Sequence, residues 1–218
     1  MPDSPQPLPR SLWVGMAIVF LLLGLAYLMS FAEFQGARKS SLPVLGQVSD
    51  FTLTNQAGQL VTLVDLTNHV WLADIIFTRC AGSCPIMTRQ MRSLQDALPA
   101  DSPARLVSLT TDPDYDSPAI LQRYAGHYGA DSNRWLFLSG TKTQLAGLAA
   151  NSLKLGATPV ALADQKSDVD LFIHSTIFVA VDKHARLRGI FETEGDGVDW
   201  TNVQPRIVQT VSQLENEP

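Results

Sequence analysis

The chain has 218 residues, with 16 Lys and Arg against 21 Asp and Glu and a net charge of −5. An acidic balance without a Lys/Arg cluster argues against nucleic-acid binding, which needs a basic face. With only two cysteines, a zinc site built from four of them is impossible.

No charged side chain stands between Ser11 and Ala32, and the run is mostly Leu, Val, Ile, Phe, Ala and Met. About 20 such residues suffice to cross a bilayer as a helix. The run exceeds the roughly 7–15-residue apolar core of a cleavable signal peptide, although Ala32 and Ala37 leave cleavage open. Arg10 precedes the run and Arg38 and Lys39 follow it, so charge does not set its orientation. The layout is therefore an N-terminal flank (1–11), a transmembrane anchor (12–32), a linker (33–47) rich in Gln, Gly, Ser and Pro, and one domain (48–218) of a size that buries its own core.

Within the domain, residues 51–54 and 60–64 alternate around Asn55-Gln56-Ala57-Gly58, which predicts an N-terminal β-hairpin. Residues 70–77 are nearly all apolar and of strand length, as in a central strand covered on both faces. Met87, Met91, Leu94 and Leu98 recur at helical spacing, so a helix runs from 85 to about 98 with Pro85 in its first turn. That spacing makes both methionines core residues rather than metal ligands. A strand follows at 105–110, then a helix from Ser117-Pro118 to about 128, a strand at 135–138 and a helix at 141–151. Residues 155–170 read as irregular. Residues 176–181 and 187–191 read as paired strands across 182–186, and 201–214 as a closing helix. This order gives an α/β domain with a mixed central sheet, and with cysteines after a central strand it resembles the thioredoxin-like fold.

The cysteines stand in Cys80-Ala81-Gly82-Ser83-Cys84-Pro85 at the strand-to-helix junction. If the intervening residues begin the helix, the i, i+4 spacing puts both sulfurs on one face, close enough for a disulfide or one metal ion. The helix N-terminus would favour thiolates. A purely structural disulfide is the plainer reading, but so small a loop would constrain the unfolded chain little. His174, just before the strand at 176–181, is the candidate third ligand. Two thiolates and an imidazole suit copper as Cu(I) or Cu(II). His69, His127 and His184 stand in turn or helix-end contexts and read as ordinary surface residues. Asp74 lies inside the apolar strand, six residues before Cys80. Buried there it would have a raised pKa and could accept a proton; facing a polar edge it would be merely hydrogen-bonded. Asp112 and Asp116 read as turn and helix-start residues, with a thiol-modulating role as the alternative. Arg79 either favours a thiolate or is a solvated loop residue.

Three motifs in order carry a resemblance: Phe77-Thr-Arg-Cys-Ala-Gly-Ser-Cys-Pro-Ile-Met87, Asp112-Pro-Asp-Tyr-Asp-Ser-Pro118, and Ile173-His-Ser-Thr-Ile-Phe-Val-Ala-Val-Asp182 with Arg188-Gly189. Over the whole 48–218 domain the chain resembles the Sco/SenC family, with Ser117 where that family has Thr. The resemblance implies a membrane-anchored thioredoxin-like protein that binds copper through Cys80, Cys84 and His174. It implies a role in assembling the copper site of cytochrome c oxidase, with that oxidase subunit, other copper chaperones or thiol-disulfide exchange proteins as partners. It also places residues 1–11 in the cytoplasm and the domain in the periplasm, or in the mitochondrial intermembrane space of a eukaryote. Asp74 departs from the pattern of the copper-delivering members; thioredoxins have a buried aspartate at that offset. It therefore favours the alternative of a thiol-disulfide reductase without an obligatory metal. A redox or copper sensor is a third reading. A peroxidase is disfavoured, since the residue three before Cys80 is Phe77, not Thr.

Overall fold

The structure is a computed structural model that describes residues 15–16, 19–25, 27, 42–156 and 176–218. They fall into two compact units, Met1–Ser41 and Leu42–Pro218. In the first, the described residues are helical, and Val19, Phe20, Leu21, Leu22, Leu23 and Leu25 are each more than half exposed. No helix among the described residues is long and apolar enough to cross a membrane; the remainder of the expected anchor, 12–32, lies outside them.

The second unit is built on an eight-stranded mixed sheet in the order β1 (Gly46–Gln47), β8 (Arg186–Glu192), β7 (Ile177–Val181), β4 (Trp71–Ile76), β5 (Arg105–Thr110), β6 (Trp135–Ser139), β2 (Thr52–Asn55), β3 (Leu60–Thr62). Its centre is β4 (Trp71–Ile76), every residue of which is buried. β4 pairs in parallel with β5 (Arg105–Thr110), which pairs in parallel with β6 (Trp135–Ser139). Beyond β6 lies the predicted hairpin, β2 (Thr52–Asn55) and β3 (Leu60–Thr62). Its turn closes because Asn55 Oδ1 accepts the N–H groups of Ala57 and Gln59, each at 2.9 Å, and Gly58 takes φ +77°. On the other side β4 pairs antiparallel with β7 (Ile177–Val181), which forms a hairpin with β8 (Arg186–Glu192).

Alternation along β4 sends Leu72 and Ile76 to one core and Trp71, Ala73 and Ile75 to the other. The first core is filled by helices α2 (Cys84–Ala97), α3 (Pro118–His127) and α5 (Trp200–Glu215). Met87 and Met91 are 1% and 0% exposed within it, so they are packing residues as their spacing predicts.

Several boundaries differ from the sequence reading. Leu63 and Val64 do not continue β3 but open a single turn, α1 (Leu63–Leu66), where Thr62 and Asp65 form a reciprocal capping box. The helix after Thr141 is α only over α4 (Lys142–Ala146) and continues as a π-helix at Gly147–Ser152. The end of the expected linker is docked: β1 (Gly46–Gln47) pairs with β8, so the compact unit begins at Leu42 rather than residue 48. Of the expected irregular stretch 155–170, only Leu155 and Gly156 are described.

Candidate thiol site

The site lies where β4 ends and α2 begins. Backbone from 77 to 83 turns rather than coils: Cys80 N–H donates to Phe77 O at 3.1 Å, and residues 81–83 are bends. The expectation that residues between the cysteines start the helix is thus corrected. α2 begins at Cys84, with Pro85 in its first turn, and Cys80 approaches Cys84 through the loop. Gly82 N–H points at Cys80 Sγ at 3.4 Å. Both thiols are free; Cys80 is partly exposed, and Cys84 is 8% exposed beneath it in the core.

Helix-dipole reasoning predicts a favoured thiolate at Cys84, and the structure reverses it. Burial pushes the Cys84 thiol up to about 12, and its hydrogen bond to Cys80 and the nearby Asp74 carboxyl add to the rise. A hydrogen bond from the Phe77 backbone offsets only part of this. Desolvation wins because Cys84 is packed among apolar side chains of the core.

Asp74 shares the Leu72–Ile76 face of β4, the face that α2 covers. It is 0% exposed, and among the described residues neither carboxyl oxygen has a hydrogen-bond partner. Burial therefore raises its pKa to about 7. Ser108, opposite it in the β4–β5 register, offsets a minor part of that rise; its hydroxyl oxygen accepts the Trp135 indole N–H at 3.0 Å. The polar-edge reading of Asp74 does not hold.

A second loop, between β5 and α3, braces the cysteine loop. The two loops leave the carboxyl ends of adjacent parallel strands, where α/β sheets place their sites. Arg79 donates to Asp112 Oδ2 through Nε at 3.1 Å and Nη2 at 2.5 Å, and stacks 4.1 Å from the Tyr115 ring centroid. It is neither free in solvent nor directed at a sulfur. Asp116, 0% exposed, accepts from Thr78 N–H at 3.1 Å, from the Thr78 hydroxyl and from the Thr110 hydroxyl at 2.5 Å. Thr78 and Tyr115 stand inside two of the quoted motifs without a role of their own there, and Thr110 lies outside them. Only the parallel pairing of β4 and β5 would have brought them together.

His174 lies outside the described residues, so its place relative to the sulfurs is not described. Among the described residues no group of three His, Cys, Asp or Glu converges. His69 and His184 make single bonds to backbone oxygens of Pro103 and Pro218, and His127 packs edge-on against Tyr128, all in keeping with ordinary roles. The donor set present, two adjacent sulfurs with one reachable from solvent, suits a soft metal ion and equally a disulfide.

Comparison with known proteins gives a single direction. A family model described as SCO1/SenC matches residues 44–208. The SCO1 protein homolog of Bacillus subtilis is 34% identical over 148 residues, 67% of this chain and 74% of that protein. A protein of Stutzerimonas stutzeri whose name describes copper binding is 33% identical over 150 residues, 68% and 70% of the two chains. The solved structure of BsSco, described as a member of the Sco family of cytochrome c oxidase assembly proteins with a disulfide switch, is 30% identical. It covers 80% of this chain and 99% of its own, with a TM-score of 0.63.

Proposed function

The chain belongs to the SCO1/SenC family, and from that premise we propose that it is a copper-binding thiol protein serving assembly of the copper site of cytochrome c oxidase. Cys80, Cys84 and His174 hold the ion, Cu(I) or Cu(II), as cargo. The observation that carries this reading is the pair of free thiols itself, one partly exposed and the other buried beside it at the carboxyl end of β4. Copper, a soft acid toward sulfur, draws the proton from each thiol, so binding strengthens as pH rises, and the raised pKa of Cys84 extends that dependence into the alkaline range. The apolar run 12–32 anchors the chain, the domain faces the periplasm or its mitochondrial equivalent, and the receiving partner is the copper-site subunit of the oxidase.

Copper titration of the reduced full chain in detergent tests the ligand set. Replacing either cysteine by Ser removes the sulfur-to-Cu(II) charge-transfer band, and His174→Ala weakens binding on the order of 10–100-fold. Unchanged affinity in the double cysteine variant overturns the reading. For topology, a reporter active only in the cytoplasm, fused at Pro43, is inactive; activity there overturns the orientation.

A second reading, thiol-disulfide exchange, is favoured by Asp74. The Cys80 sulfur attacks a partner disulfide, forming a mixed disulfide and releasing one partner thiolate. Cys84 then passes its proton toward the Asp74 carboxylate and attacks Cys80 Sγ, releasing the second thiolate. The partner gains two electrons and this chain ends as the Cys80–Cys84 disulfide. Stopped-flow exchange with a small disulfide reads the role of Asp74: Asp74→Asn slows exchange near neutral pH and leaves copper affinity within a few-fold. Equal rates in the two proteins remove it.

A further inference from the structure

We propose that Asp116 is a positioning residue for the thiol pair: its buried carboxylate locks the loop that carries Cys80 to the end of β5, holding the two sulfurs ready for copper binding and for disulfide closure. This rests on the thiol-site reading above and extends it to a residue outside the ligand set.

By sequence Asp116 belongs to the start of α3. None of its hydrogen bonds goes there. The N-cap of α3 is Ser117, whose side chain makes no capping bond, and both Asp116 oxygens instead face the cysteine loop and β5. Oδ1 accepts the Thr78 hydroxyl; Oδ2 accepts the Thr78 N–H and the Thr110 hydroxyl. Thr110 Oγ1 in turn accepts the Asp112 N–H at 3.0 Å, so the whole second loop is tied into the same group.

The anchored residue is well placed. Thr78 stands inside the turn closed by Cys80 N–H and Phe77 O, so fixing it fixes the backbone that presents Cys80. A carboxylate in a dry site forms stronger hydrogen bonds than a neutral acceptor would. Asparagine at this position keeps one acceptor oxygen for the Thr78 N–H and the Thr110 hydroxyl, and its NH2 turns the Thr78 hydroxyl into an acceptor, so charge-assisted bonds become weaker neutral ones. The loop is then held less tightly, and the freedom it gains must be given up again each time the sulfurs are brought together. Losing about one residue's worth of backbone freedom corresponds to roughly tenfold in an equilibrium constant.

The experiment compares full-length wild type, Asp116→Asn, Thr78→Val, Thr78→Ser and, as a control on the same loop, Asp114→Asn, which removes only an exposed ion pair to Lys142. Two constants are measured beside thermal unfolding: the glutathione equilibrium of the Cys80–Cys84 disulfide, and Cu(I) affinity by competition with a chelator. Asp116→Asn lowers both constants about tenfold, Thr78→Val lowers them several-fold, and Thr78→Ser and Asp114→Asn leave them within twofold. In the Asp116→Asn/Thr78→Val double variant the two losses are less than additive, since both loosen the same loop. If Asp116→Asn melts lower but keeps both constants within twofold, Asp116 is structural and the proposal fails. Should that variant not fold, wild-type constants in Thr78→Val overturn the proposal equally. A wild-type chain that neither closes the disulfide nor binds Cu(I) defeats the thiol-site reading instead.

Discussion

Asp74 and Cys84 are two acids buried on one side of β4, and each is held toward its neutral form by lack of solvation. The consequence for stability has a definite sign. An Asp74 carboxyl with a folded pKa of about 7 against 3.8 keeps its proton in the folded chain while the unfolded chain releases it. Its contribution is fully present below about pH 4 and is lost as pH rises to about 7, at a slope of up to roughly 1.4 kcal/mol per pH unit. Chemical denaturation of wild type and Asp74→Asn between pH 4 and 8 checks this: the slope disappears in the variant, and an identical slope in both shows that Asp74 is not its source. The thiols differ in access. Iodoacetamide at pH 8 modifies Cys80 first and leaves Cys84 until the pH approaches 12 or the fold opens, which peptide mass mapping reads; equal labelling contradicts the layered arrangement. The sequence left Asp74 between burial and a polar edge, because an apolar run shows that a strand is covered but not what packs over one of its residues; the helix laid over β4 decides it. The raised pKa of Cys84 was not legible, because helix position suggests the opposite and only packing reveals the desolvation.

At the scale of elements, the hairpin, the central strand and α2 were legible because each is set by local periodicity and turn chemistry. The brace between the 77–83 and 111–117 loops was not, since it joins residues more than thirty apart through strand adjacency. The π-helix at Gly147–Ser152 was equally hidden, as its apolar spacing imitates an α-helix. The β7–β8 hairpin shows a tighter constraint. A Cβ at Gly189 would stand 2.9 Å from Phe191 Cε2 and 3.0 Å from Cζ, so the far edge of that ring occupies the space a side chain would need. Phe191 is part of the core that contains Cys84. Gly189→Ala forces that ring to shift and costs about 1–3 kcal/mol, the range for overpacking. Thermal unfolding measures it, and an unchanged midpoint shows that the ring moves freely.

At the scale of the whole domain, a buried charge cluster joins its two ends. Arg188, 3% exposed, pairs with Asp182 at 2.6 Å and Glu217 at 2.8 Å, and its Nη2 donates to Leu42 O at 2.6 Å. Asp182 also accepts the Arg186 and His184 N–H groups at 2.9 Å. Burial would raise the Asp182 carboxyl, but the Arg186 backbone and side-chain bonds together with Arg188 hold it below the usual carboxylate range. The contribution of this group is therefore present above the ordinary carboxylate pKa and lost as pH falls through its lowered one, the reverse of Asp74. Because the cluster grips Leu42 and Pro43, the 42–47 segment docks instead of serving as linker. Composition could not show this: the residues there look like linker, and their partner is an arginine 146 positions away. Arg188→Met leaves Asp182 and Glu217 without their shared cation, and removal of one partner from a buried pair costs about 3–5 kcal/mol. The loss should be local in its dynamics. Amide exchange accelerates at Leu45 and Val48, whose N–H groups bond Leu187 O and Ala185 O, while β4 and β5 amides slow and speed only with global stability. Cys80 alkylation, set at the opposite end of β4, keeps its rate in the folded population. Unchanged exchange at Leu45 and Val48 in Arg188→Met would mean that β1 pairing alone holds the segment, and a change in Cys80 reactivity would mean that the two ends of the sheet are coupled.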